Sequence, residues 1–375
     1  RLAEISDALI RKLEFPKTLE WEPSRFRFGR PIRSLTTLYG KSVLPVSVAG
    51  IKSGRFVRGL AALGKKPFSV TEPAKYRDQL RREFVLADAG ERREDLLKKL
   101  EATARRTGYT IELDEELLAE TVYMTEYASP VLGSFKTDFL ALPAQLLSMV
   151  LKKQLKFFPM RGPSGMAPSF IGVRDGRSEG QELVREGYQR VLTARLSDAF
   201  FFFDRDKASR LESKLPLLER VTYQKDLGSV SQKGDRVASL SEWLCETLRQ
   251  VQPLNEGAVR ESARLCYADL VTDVVKEFPE LQGVMGGVYA RHDGYDERVA
   301  LSLEQFYYPT GGKSPVPTTL EGSVVSLAGK LDSLAGSFAV GMTPTGSADP
   351  FALRRQALGV VRILLEKQLR VDLEK

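Results

Sequence analysis

The stretch SDAFFFFDRD, Ser197 to Asp206, separates two kinds of pattern in a chain of 375 residues. Upstream of it, strand-like and helix-like segments follow one another without regular alternation. RFRFGRPIRSLTTLYG, Arg25 to Gly40, pairs Arg with Phe at period two, which turns Arg25 and Arg27 outward and Phe26 and Phe28 inward on a strand. SVLPVSVAGI follows, punctuated by Pro and Gly. AGERREDLLKKLEATARRTG reads as a helix closed by Gly108. DEELLAETVYMTEYASP reads as a helix with Asp114 as N-cap and Pro130 as stop. LPAQLLSMVLKKQLKFFPM starts at Pro143 and carries a core stripe of Leu147, Met149 or Val150, Leu151, Leu155 and Phe158, and PSFIGVRDG returns to strand. From about Leu211 onward the patterns are helical: VASLSEWLCETLRQV, EGAVRESARLCYADLVTDVVKEF, ERVALSLEQFYY and SVVSLAGKLDSLAGSFAV. The expectation is an α+β fold of two domains, a mixed module over 1–205 and a mostly helical domain over 206–375.

The last helical segment, PTGSADPFALRRQALGVVRIL from Pro344 to Leu364, combines a Gly-rich turn with two adjacent arginines. Asp349 reads as N-cap and Pro350 as the first helical residue. Leu353, Ala357, Val360, Val361, Leu364 and Leu365 form the inward stripe, with Arg355 and Arg362 on a solvated face. The loop from Thr343 to Ala348 exposes amides at a helix start, where an anion can sit. Two readings stand here: a capped core helix, or a site where Arg354 and Arg355 meet a phosphate or a partner.

Composition excludes several classes of chemistry. Hydrophobic residues make up 42%, and no apolar run approaches the roughly 20 residues of a membrane helix. The charged start RLAEISDALIRKLEF does not read as a signal peptide. Cys245 and Cys266 are the only cysteines and form no CxxC pair, so they read as buried thiols of a reducing cytoplasm. A single histidine, His292, leaves no site that needs two imidazoles. GGKS at Gly311 to Ser314 fails as a phosphate loop, because Tyr307 stands where the first glycine is needed and Pro309 and Pro315 flank it. RHDG reads as a turn with a surface histidine.

Charge distribution is more informative than the net charge of +7. From Pro23 to Thr71 there are ten cations and no acid: Arg25, Arg27, Arg30, Arg33, Lys41, Lys52, Arg55, Arg58, Lys65 and Lys66. From Phe139 to Arg174 there are five more, Lys152, Lys153, Lys156, Arg161 and Arg174, again with no acid. Solvated faces usually mix both signs, whereas long single-sign windows more often meet a polyanion.

Several of these stretches together resemble one family, the β subunit of the bacterial heterotetrameric glycyl-tRNA synthetase. RFRFGRPIRSLTTLYG, GIKSGRFVRG, SPVLGSFKTDFLALP, FFPM, RVLTARLSDAFFFFDRD, VTYQKDLGSV, ADLVTDVVKEFPELQGVMGGVYA, GKLDSLAGSFAVG and PTGSADPFALRRQALGVVRILLE carry the resemblance, in the family's order and over nearly the whole chain. The resemblance implies an N-terminal module like that of the phenylalanyl-tRNA synthetase β subunit, followed by an HD-like helical domain. It also implies a fragment, lacking an N-terminal segment and a C-terminal anticodon-binding region. Function would be the tRNA-gripping, non-catalytic half of a glycine–tRNA ligase, in an α2β2 assembly with the α subunit, which uses ATP and Mg. No cofactor or metal would be bound by this chain. The nucleic-acid contacts would come from Arg25, Arg27, Arg30, Arg33, Lys52, Arg55, Arg58, Lys152, Lys153, Lys156, Arg354 and Arg355.

The chain departs from the family pattern at three places. RGLAALG stands where the family has Gly-His-Arg, and Gln154 and Leu155 replace His-Gln. Ala328-Gly329-Lys330-Leu331-Asp332 replaces Ala-Asp-Lys-Leu-Asp. The pair that gives HD hydrolases their name would map near Ala268–Asp269, so Ala268 and Gly329 remove two metal ligands. A metal-dependent phosphohydrolase and a stand-alone RNA-binding protein on the same scaffold are the alternatives.

Overall fold

The computed structural model describes residues 1–64, 66–249, 253–346, 349 and 351–373, in two units. The first unit comprises Arg1–Lys136 and Leu151–Thr193. Its main sheet has four antiparallel strands in the order Thr110–Ile111, Phe158–Gly162, Gly165–Asp175, Ala128–Ser134. Two glycines let rings lie flat on that sheet. The Phe170 ring covers Gly133, where a Cβ would stand 2.3 Å from it, and Tyr188 and Phe157 cover Gly172 in the same way. Leu96 and Leu100 of the Ala89–Arg105 helix and Leu118 and Val122 of the Glu115–Met124 helix close a core with Phe158, Met160 and Ile171.

The N-cap expected at Asp114 is present, and Asp88 adds one that the sequence reading did not name. Asp114 accepts from the amides of Glu116 and Leu117, and Asp88 accepts from that of Glu91, each worth about 1 kcal/mol. Gly108, at φ +74°, turns the chain just past Arg105. Pro130 does not stop the preceding helix, which already ends at Met124; it lies inside the strand Ala128–Ser134. Phe158 is likewise a strand residue rather than part of the helical stripe, while Leu147, Val150 and Leu151 are buried as expected.

The Arg/Phe alternation does not make a regular strand. Between Arg25 and Arg33 there is one bridge, Leu19 to Phe28, and Arg25 has φ +54°. A left-handed residue before the alternation and Gly29 with Pro31 after it interrupt pairing. Packing, not pairing, orders this stretch: Phe26 stacks on Phe28 at 5.8 Å, and Phe28 meets Phe15 edge-on at 4.6 Å. Strands resume as short pieces. Leu35–Thr36, Ile51–Gly54 and Ser47–Val48 form a three-stranded sheet. Its hairpin turns at Ala49 and Gly50, with φ +51° and +74°, the double left-handed geometry that matches strand twist.

The second unit comprises Thr137–Val150 and Ala194–Lys375. The division therefore falls at 193/194, inside the Gln181–Lys207 helix, rather than at 205/206. The phenylalanine run explains this: Phe200 packs on Phe139 at 6.4 Å and Phe203 stacks on Tyr289 at 5.9 Å, both within the second unit. Asp206, 3% exposed, then accepts from the amides of Asp273 and Val274 and from the Tyr289 hydroxyl at 2.8–3.0 Å. The unit is mainly helical, with Val230–Leu248, Glu256–Leu265, Val284–His292, Glu297–Glu304, Leu320–Ala339 and Leu353–Glu366 as its longer helices and one small sheet, Thr222–Gln224 with Gly228–Ser229. Leu320–Ala339 is the most buried: Val324, Val325, Leu327 and Ala328 are all fully inaccessible.

The C-terminal helix differs from its sequence reading. It begins at Leu353, and the residue before it, Ala352, is left-handed. Asp349 still caps it, because its carboxylate accepts from the amides of Leu353 and Arg354 at 2.7 and 3.1 Å. Pro350 and the end of the Thr343–Ala348 loop lie outside the described residues. Leu353, Val360 and Ile363 face inward, whereas Ala357, Val361 and Leu365 are exposed. Arg362 is no solvated cation: it donates to the carbonyls of Gly311 and Ser314 at 3.0 and 2.6 Å, and so pins the GGKS loop.

Candidate nucleic-acid interface

The two basic windows meet different fates. In the first, Arg25, Arg30, Arg33, Lys52 and Arg58 are exposed and take part in no ion pair among the described residues. Arg30 and Arg33 line one hollow together with Ile10, Leu13 and Phe28. Lys52 lies on the middle strand of the three-stranded sheet. Arg27 is held by Glu20 at 2.8 Å, yet remains 72% exposed. Arg55 is half-buried and donates to the Lys41 carbonyl at 3.1 Å, a structural role. Lys41 is 3.9 Å from Glu72. Lys65 lies outside the described residues.

In the second window the single sign is an artefact of reading along the chain. Lys152 pairs with Glu112 at 2.6 Å and with Asp114 at 3.4 Å, and Arg161 shares Glu112 at 2.8 Å. Lys153 pairs with Glu116 at 3.3 Å and Lys156 with Glu120 at 2.8 Å. All four carboxylates come from the segment that opens and forms the Glu115–Met124 helix. Burial pushes the Glu112 carboxyl upward, but the hydrogen bond and charge of Lys152, with Arg161, outweigh it and hold the group below its ordinary range. The face that looked purely basic is therefore locally balanced, and Lys152, Lys153 and Lys156 do not form a bare cationic surface.

Arg354 and Arg355 sit in the first turns of the C-terminal helix, in the second unit, and both are exposed. Arg354 spends its guanidinium on the Thr345 carbonyl, which ties the loop to the helix. Arg355 makes no ion pair among the described residues.

Sequence reading missed a cleft of about 610 Å³ in the first unit. It is lined by Lys99, Arg106 and Arg177 with the rings of Phe84 and Tyr127. Lys99 stands 4.4 Å over Tyr127 and Arg177 stands 5.1 Å over Phe84. Lys99 is paired with Asp95 at 2.6 Å and Arg177 with Glu179, so Arg106 alone of these cations is without an ion pair among the described residues. No local motif could have disclosed the cleft, because its walls come from distant stretches of sequence.

Where the resemblance places a degenerate metal site, the carboxylates are occupied by protein groups. Asp269, 1% exposed, accepts from the amides of Gly283 and Gly286 at 2.6 and 3.0 Å, and burial pushes its carboxyl up to about 6. Asp332 is buried between Lys233 at 2.6 Å and Arg236 at 2.5 Å. The Phe306 ring fills the space where a Cβ of residue 329 would point, 2.7 Å away. Among the described residues, no three His, Cys, Asp or Glu side chains converge as a metal needs. His292 is exposed at a helix end, and Asp293 accepts instead from the Leu211 amide at 2.6 Å. Cys245 and Cys266 are buried and unbridged; burial pushes the Cys245 thiol up to about 11 and that of Cys266 higher still. No helix among the described residues is long and apolar enough to cross a membrane.

The whole chain, residues 1–375, matches the family described as glycyl-tRNA synthetase beta subunit. The glycine–tRNA ligase beta subunit of Bacillus subtilis is 38% identical over 375 residues, covering 100% of this chain and 55% of the relative. That of Desulforamulus reducens is 39% identical over 375 residues, covering 100% and 54%. That of Trichlorobacter lovleyi is 40% identical over 367 residues, covering 98% and 53%. The chain spans about half the length of the curated relatives it matches. It belongs to the glycyl-tRNA synthetase beta-subunit family.

Proposed function

We propose that this chain is the tRNA-binding, non-catalytic part of a glycine–tRNA ligase β subunit. It holds tRNA(Gly) while an α subunit, in an α2β2 assembly in the cytoplasm, forms glycyl-adenylate from ATP with Mg and charges the tRNA end. The names of its relatives supply the reaction, and the first basic window supplies the contact. The observation that carries the contact is the exposed, unpaired set Arg25, Arg30, Arg33, Lys52 and Arg58. Phosphate contacts of this kind give affinity without reading sequence, and they suit the acceptor stem, an A-form helix whose deep groove side chains cannot enter. We read the first unit as a module like that of the phenylalanyl-tRNA synthetase β subunit. The second we read as an HD-like domain whose carboxylates have turned structural, with Asp269 capping a helix and Asp332 neutralising Lys233.

Labelled tRNA(Gly) titrated into wild type and an Arg30→Ala/Arg33→Ala variant at several salt concentrations tests the contact. Weaker binding with a flatter salt dependence is expected. Unchanged affinity and slope in a folded variant would assign these arginines to a protein interface instead. The division of labour has a separate check. The pure chain, given glycine and ATP, should show no pyrophosphate exchange above a blank, and clear exchange would overturn it.

A further inference from the structure

The helical unit holds a cavity of about 250 Å³ that the tRNA reading does not use. Its walls are aromatic, from Tyr223, Tyr267, Phe306, Tyr307 and Phe351. Two ammonium groups line it, Lys233 and Lys330, each on a residue only 4% exposed. Lys233 is matched: Asp332 lies 2.6 Å away, and the Ser333 hydroxyl accepts from it at 2.8 Å. Lys330 is not. Its sole hydrogen bond among the described residues goes to the Tyr307 carbonyl at 3.2 Å, and no carboxylate pairs with it.

The surrounding charge is unbalanced. Lys233 and Arg236 both hold Asp332, at 2.6 and 2.5 Å, and Lys330 takes no part in that pairing. The other buried carboxylates of this unit have partners elsewhere: Asp206 accepts from two amides and the Tyr289 hydroxyl with Lys214 3.9 Å away, Asp269 accepts from two amides, and Glu321 accepts from the Asn255 amide. A buried charge without a partner is costly. Yet the fold encloses this one tightly. Gly359 of the C-terminal helix lies on the Lys330 stem, where a Cβ would stand 2.7 Å from its Cε. Desolvation lowers the ammonium to about 8, so it still carries its proton at neutral pH.

We infer that this cavity is a binding site for a small organic anion, a carboxylate or phosphate on a single aromatic ring, with Lys330 as the group that receives the charge. The anion supplies the partner that Lys330 lacks, and the ring takes the place offered by the tyrosines and phenylalanines. Size limits the choice. The cavity holds roughly eight water volumes, room for one ring with its charged group.

The test is calorimetric titration of the intact chain with benzoate, phenyl phosphate, inorganic phosphate and AMP. Saturable binding of benzoate or phenyl phosphate is expected, with inorganic phosphate and AMP at least tenfold weaker. Lys330→Met keeps the stem and removes the charge, and should abolish that binding. Gln356→Phe leaves Lys330 intact and fills the cavity from its wall, and should abolish it as well. Circular dichroism on both variants separates lost binding from lost folding. No saturable binding to wild type would overturn the proposal, as would binding that survives in both folded variants. Phosphate or AMP binding as tightly as phenyl phosphate would overturn the single-ring assignment.

Discussion

Every cation between Lys152 and Arg161 has a carboxylate within 3.3 Å, whereas Arg30 and Arg33 have no ion pair among the described residues. Both stretches are free of acids along the chain. The difference lies in what folding brings alongside. The helix at Glu115–Met124 and the segment leading into it deliver Glu112, Asp114, Glu116 and Glu120 to the second stretch. Nothing equivalent reaches Arg30, Arg33 or Lys52; the nearby acids Glu20 and Glu72 are taken by Arg27 and by Lys41 and Lys75. A paired cation presents a polyanion with little net local charge, since its carboxylate offsets it at short range. A basic window therefore becomes a basic surface only where tertiary pairing leaves it alone.

The strongest way to probe pairing is to remove it where no solvent can help. Asp332→Ala strands the buried Lys233 ammonium and should cost about 3–5 kcal/mol of unfolding free energy, measured in urea. A loss below about 1 kcal/mol would mean that water enters freely and that pairing matters less than argued.

Asp269 is the mirror case, a buried carboxylate held by amides and no cation. Its folded carboxyl at about 6 lies above its ordinary 3.8, so the native state binds the proton more tightly. The stability this group contributes is full below about pH 4 and is lost as pH rises through 6, by about 3 kcal/mol. Asp269→Asn keeps an acceptor oxygen and should flatten that slope. Parallel pH profiles for the two proteins would refute the assignment.

Between the two windows themselves, Arg30→Ala/Arg33→Ala should weaken tRNA binding by about 2 kcal/mol and flatten the salt slope by about two. Lys153→Ala/Lys156→Ala should change either quantity by much less. Equal effects would erase the contrast.

The smallest effect would sharpen it. Glu112→Gln frees Arg161 and leaves Lys152 with Asp114 alone, at a stability cost of about 1 kcal/mol. It should steepen the salt dependence of tRNA binding by up to about one unit. An unchanged slope would show that this face stays away from RNA even when its pairing is loosened.

Local chemistry was readable where one residue decides. Asp114 and Asp349 cap helices because a short carboxylate reaches nearby amides, and that needs no knowledge of the fold. The helical stripe before Phe158 could be read as far as Leu151 for the same reason. What escaped depends on partners far away in sequence. The acids facing Lys152, Lys153 and Lys156 lie 36 to 40 residues upstream. The phenylalanine run looked like the end of the first domain, but Phe200 and Phe203 find Phe139 and Tyr289. At the C-terminal helix the apolar spacing was right and its angle wrong, because Val361 and Leu365 share the period of the core without facing it. The aromatic–cationic cleft and the Lys330 cavity are assembled from separated stretches and have no linear signature.

Asp206 has a bearing on how the helical unit is made. Its three donors, the amides of Asp273 and Val274 and the hydroxyl of Tyr289, stand 67, 68 and 83 residues further along the chain. During synthesis, a growing polypeptide that ends before Tyr289 holds this carboxylate with its last partner missing. Closing so long a loop is slow compared with forming the helices between. Until Tyr289 emerges, Phe203 also lacks the ring it stacks on, whereas Phe200 already has Phe139 upstream of it.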